Sequence, residues 1–206
     1  MDMTADRAGA LRLGIRLELI TVVWMTIEAA LAIGAGIVAR SVLLTAFGID
    51  SVIELISGLT LLWRLRIEEA GGDETSVDRV ERRASIVSAA LLVLLCAYVV
   101  ISSAAGVVLR IEPEGSWPGI AVAAIAVLLM PWLATQKRRA NRTLDSHALR
   151  ADVAESVSCA FLAGVTLVGL AVSAATGPWW AQYVAAVALL VWLIPETGEA
   201  LESVRG

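Results

Sequence analysis

Apolar residues in this chain come in six long runs, and its charged residues are bunched between them. The runs lie near 17–38, 42–63, 85–108, 118–135, 153–175 and 179–195. Each is close to the roughly 20 apolar residues a helix needs to cross a bilayer's hydrocarbon. Irregular backbone cannot face lipid, because its N–H and C=O groups would have no partner there. The pattern therefore predicts an all-α, polytopic membrane protein of six transmembrane helices. It is read as a single transmembrane domain over 1–206, with no soluble C-terminal domain.

The links fall into two kinds. Three are short: Ala39 to Ser41, Arg110 to Trp117 and Thr176 to Pro178. Two are longer and charged, Arg64 to Ala84 and Gln136 to Ala151, and both are expected to be loops. Of sixteen Lys and Arg residues only Arg40 and Arg110 fall on the short-link side. By the positive-inside rule, both termini and the long loops are expected in the cytoplasm. Trp63, Trp117, Trp132, Trp179 and Trp180 sit near predicted span ends, where interfacial anchors belong. Glu68 to Glu74 reads as a solvated, flexible turn, and the polar N-terminus shows no signal-peptide cleavage site.

Composition agrees with the pattern. The chain is 58% hydrophobic and 17% charged, against about 45–50% and about 25% for soluble domains. A net charge of −4 gives no reason to expect nucleic acid. Cys96 and Cys159 both fall in apolar runs and form no disulfide framework.

Against this background the acids inside the spans stand out. An ionised side chain at the bilayer centre costs roughly 2.5–3.5 kcal/mol on insertion scales. Glu28 lies in the first run, Asp50 and Glu54 in the second, Glu155 in the fifth. Glu18 and Asp152 are close enough to run ends to be expected in water, and no Lys or Arg falls mid-run. Clustered acids without a base call for a cation: protons, a metal ion or an organic cation. Asp50 and Glu54 are four residues apart, hence on one helix face about 6 Å apart along the axis. Glu155 and Cys159 repeat that spacing. Packing these faces together, helped by Gly48, Ser51, Ser57, Gly58, Ser156, Ser158 and Ala160, would converge three carboxylates and a thiol. Such a donor set suits a tetrahedral divalent ion such as zinc. The alternative for Asp50 and Glu54 is a pair of protonated acids hydrogen-bonded to serines. For Cys159 it is plain packing, which is also the reading of Cys96. Glu28 is either a ligand or an outer proton site. His147, the sole histidine, reads as a solvated loop residue.

The stretch from Ser41 through Gly48-Ile49-Asp50-Ser51-Val52-Ile53-Glu54 resembles the second-span motif of the cation diffusion facilitator (cation efflux) family, D-S-x-x-D. Leu149-Arg150-Ala151-Asp152 is similar to its L-R-A-D lead into span five, and span six from Trp180 to Pro195 is similar in length and small-residue pattern. Glu155 and Cys159 stand where that family usually has histidine and aspartate. Its histidine-rich loop and cytoplasmic metal-binding domain have no counterpart. The resemblance implies export of a divalent metal, usually zinc, in exchange for protons by alternating access, often as a homodimer, in a membrane. It implies metal binding at Asp50, Glu54, Glu155 and Cys159, with Glu28 as a further candidate. Two other functions are weighed: a proton-coupled exporter of small organic cations, and a non-transporting scaffold. The first needs an aromatic-lined cavity, which 5% aromatics disfavour; the second leaves the acids unexplained. No H-E-x-x-H motif and no serine–histidine pairing suggests an enzyme.

Overall fold

A computed structural model describes residues 3–70 and 75–205. Those residues form α1 (Met3–Val38), α2 (Val42–Glu69), α3 (Thr75–Val108), α4 (Trp117–Leu144), α5 (His147–Thr176) and α6 (Ala181–Arg205). All six are long and apolar enough to cross a membrane. Serines set three of the helix starts. Ser41, Ser116 and Ser146 each accept a hydrogen bond from the backbone N–H three residues on, satisfying a donor the first turn leaves free. Gly177, at φ 74°, ends α5 in the left-handed conformation that glycine adopts at no steric cost.

At the short-link end the helices stop within two residues of where the apolar runs do. At the other end every helix overruns its run. The stretch expected as a loop from Gln136 to Ala151 is helical except for Asp145 and Ser146, and most of Arg64 to Ala84 is helical too. Hydropathy marks the part of a helix that suits lipid. The hydrogen-bond ladder itself continues through good helix formers such as Arg and Glu. Glu68 and Glu69 consequently belong to α2, facing Arg7 at 2.7 Å and Arg12 at 3.7 Å. The remainder of the expected acidic turn, Gly71 to Glu74, lies outside the described residues.

α1, α2, α4 and α5 pack around one another, and α3 pairs with α6 against α2 and α5. The core between them holds Met25, Phe47, Leu44, Met130 and Leu162. Large apolar side chains such as Ile101, Leu128, Val168 and Val191 point outward, as they do in a protein whose solvent is lipid. Cys96 packs in this core beside Thr197.

The two ends of the bundle differ. At the short-link end, Ser41 donates to Gln182 at 2.6 Å, and Gln182 donates to Ser173 at 3.1 Å. The Tyr183 hydroxyl donates to the Ile111 carbonyl at 2.6 Å, and the Glu114 N–H donates to the Ala39 carbonyl at 2.8 Å. The Tyr183 ring lies where Gly106 has no side chain; a Cβ there would overlap it. This end is laced shut across α2, α5, α6 and the α3–α4 link. At the end where α1 begins and α6 finishes, a cavity penetrates the bundle.

Candidate functional site

The cavity has a volume of about 940 Å³. It is walled by α2, α3, α5 and α6 and extends from Asp50 to the exposed residues Ser85, Arg138 and Glu199. Asp50 and Glu54, one turn apart on α2, line it together with Glu155 from α5. The i,i+4 spacing thus puts both α2 acids on one face, and that face meets α5. Ser57, a turn beyond Glu54, donates to Glu155 Oε1 at 2.9 Å and fixes that carboxylate against α2.

Behind the cavity wall lies a second group. Glu28 and Cys159 are both fully buried. Glu28 accepts from Trp24 Nε1 at 2.5 Å and from Ser51 Oγ at 2.7 Å, and the Cys159 thiol points at Glu28 Oε1 from 3.7 Å. The same thiol also lies against Glu54. Cys159 therefore joins α5 to both α1 and α2. The charged groups acting on Asp50 are the carboxylates of Glu196, Glu28 and Glu155, and those acting on Glu54 are Asp50, Glu28 and Glu155. Acids gathered where solvent screens them poorly favour an arrangement that brings in a cation.

All five residues singled out in the sequence thus lie in one region of the bundle. They do not form a coordination sphere in this conformation. Among the described residues, no three Asp, Glu, Cys or His side chains stand close enough together to hold a metal ion. Asp50, Glu54 and Glu155 share the cavity, while Cys159 and Glu28 sit behind it. His147 begins α5 rather than lying in a loop; its side chain lies outside what is described.

A further expectation is overturned. Glu18 and Asp152 are not in water: their exposures are 0% and 5%. Lys137, also at 0%, bridges them, its Nζ 2.9 Å from Glu18 Oε2 and 2.6 Å from Asp152 Oδ2. A base therefore does lie inside the bundle. The reason is the overrun of α4: its extra turns carry Lys137 inward between α1 and α5, where a loop would have left it in solvent. Sequence reasoning also missed Trp24 and Ser51 as donors to Glu28. Their spacing from acids on the same helix or the next was available, but which helix faces which was not. Glu196, placed by α6 in the cavity beside Pro195, was missed because it falls just beyond the last apolar run.

Compared with known families, residues 19–204 match the description "Cation efflux transmembrane domain". No curated individual protein matches the chain.

Proposed function

Because the chain belongs to the cation efflux family, and is on that ground a multi-pass membrane transporter of metal cations, we propose that it moves a zinc-like divalent ion in exchange for protons. The ion binds between α2 and α5. The observation that carries this reading is the cavity that Asp50, Glu54 and Glu155 line from the two helices. Asp50 and Glu54 act as the oxygen ligands of α2 and Glu155 as that of α5. Cys159, held against Glu54 and Glu28, is the fourth donor, drawn in as α2 and α5 close on the ion. A thiolate among the donors favours zinc or cadmium over manganese and magnesium. Trp192 is the one aromatic lining the cavity among the described residues, which supports a metal over an organic cation. The open end of the cavity is the cytoplasmic one, in keeping with the distribution of Lys and Arg, and the transporter works as a homodimer, as the family resemblance implies.

Coupling follows from shared ligands. Carboxylates and a thiol bind metal only after losing their protons, so metal and protons compete for the same atoms. Lowering pH fills the site with protons and slows metal entry; raising pH empties it and speeds entry. Metal entry must release protons in turn. Asp50→Ala tests the reading at its centre. In proteoliposomes the variant should lose zinc flux by at least tenfold while keeping its helicity and yield, since removing an unpaired acid lowers an insertion cost. Undiminished zinc flux in Asp50→Ala would overturn the site, and flux indifferent to pH and to an uncoupler would overturn the exchange.

A further inference from the structure

Lys137 is the one buried base among the described residues, and the site just proposed does not use it. Its ammonium touches carboxylates from two helices that are not neighbours in the chain, Glu18 on α1 and Asp152 on α5. Both contacts are short, and the ammonium sits between one oxygen of each carboxyl group. Glu18 Oε1 is buried with no hydrogen-bond partner at all. It occupies the place opposite Gly58 on α2, where a Cβ would come within 2.7 Å of it. Two carboxyl groups thus share one ammonium in a buried place. Asp152 also lines the cavity, three residues before Glu155 on the same face of α5. Through Asp152 the cluster borders the cavity.

We infer that Lys137 is a tethered stand-in for a divalent cation: its ammonium fills a two-carboxylate site, formed by Glu18 and Asp152, that takes a divalent metal ion when the ammonium is removed. A divalent ion matches the two negative charges, which one ammonium does not. Lys137 thereby keeps the inner mouth of the cavity from trapping the ion and leaves the Asp50, Glu54 and Glu155 level as the place where it is held. The inference rests on the transport reading only for this last consequence; the latent site itself is testable alone.

The test is zinc stoichiometry, measured by elemental analysis of purified protein in lipid nanodiscs after desalting. Lys137→Met should bind one more zinc per chain than the wild type. Lys137→Arg, which keeps the charge, should bind no more than wild type. The triple variant Glu18→Gln, Lys137→Met, Asp152→Asn should likewise gain none. If Lys137→Met is unstable without metal, zinc present throughout purification should restore its yield and raise its melting temperature. A Lys137→Met protein that folds without an extra zinc, or one that zinc fails to rescue, overturns the inference. Repeating the set in an Asp50→Ala background separates the two proposals. The extra zinc from Lys137→Met should persist there, whereas an Asp50→Ala protein that binds as much zinc as wild type would overturn the proposed transport site alone.

Discussion

Two groups of acids, one buried and one partly so, lie a turn apart along α5 and are treated in opposite ways. Asp152, with Glu18 across from it, is met by the ammonium of Lys137. Glu155, with Asp50 and Glu54 across from it, is met by a serine hydroxyl and by other acids. The first group has a base of its own and ties α1, α4 and α5 together. The second is left short of positive charge and faces a cavity. Burial alone does not make an acid functional. What separates structure from site here is whether the fold supplies the counter-charge or leaves it to come from outside.

The contrast can be broken most severely by taking away the internal base. Lys137→Met strands two carboxylates, and removing one partner of a buried ion pair costs about 3–5 kcal/mol. Chemical denaturation in zinc-free detergent should show a loss of that size. Neutralising the whole group, with Glu18→Gln and Asp152→Asn added, should return most of it, because an uncharged cluster has no desolvation cost to offset. Asp50→Ala should do the reverse of Lys137→Met: it should leave stability unchanged or higher and remove metal transport. If both variants lost stability alike, the two groups would be alike as well.

A smaller effect sharpens the second group. Glu28 is buried deeper than the cavity and depends on Trp24 and Ser51 for its hydrogen bonds. Trp24→Phe removes one donor while keeping an aromatic ring. It should cost about 1.5–3 kcal/mol, the range for a hydrogen bond to a charged group, measured by thermal unfolding in detergent. Loss of less than 0.5 kcal/mol on the same scale would mean that Glu28 is not charged where it sits.

The smallest expected change concerns Cys159. With its thiol against Glu28 and Glu54, Cys159→Ser is nearly isosteric and should alter stability by less than about 1 kcal/mol. Its readout is selectivity. On the proposed reading, Cys159→Ser replaces the fourth donor with a hydroxyl that binds zinc poorly. Cys159→Asp should instead shift preference toward manganese. Competition of zinc against manganese in the three proteins decides this. An unchanged preference would assign the cysteine to packing and leave Asp50, Glu54 and Glu155 as the binding set.

How much of this was legible beforehand varies with the range of the interaction. The six helices were, and so were their boundaries at the short-link end, where polar residues, a capping serine or a glycine stand directly against an apolar run. The overrun at the other end was not, since helices of Arg, Glu and Ala continue after hydropathy has fallen away. That Asp50 and Glu54 share a face was visible from their spacing, and so was the register of Glu155 with Cys159. That Glu155 and Cys159 turn to different neighbours, one to Ser57 and the cavity, the other to Glu28 behind it, was not. Residues four apart on one helix differ in height by a full turn, enough to meet different partners on the next.

By itself the sequence determined the number of spans, the all-helical class and the set of acids worth suspecting. The bilayer makes these local questions: a crossing needs a certain apolar length, each run must satisfy its own backbone, and a charge within it is costly wherever it points. Only the tertiary structure decided which acids received a base, and it gave one to Glu18 and Asp152, which their places near run ends had set aside. That depends on α4 running past its apolar segment and delivering Lys137 between α1 and α5. Lys137 lies 119 positions from Glu18 and 15 from Asp152 along the chain. No spacing rule links residues so separated, because electrostatic pairing is settled by distance through space.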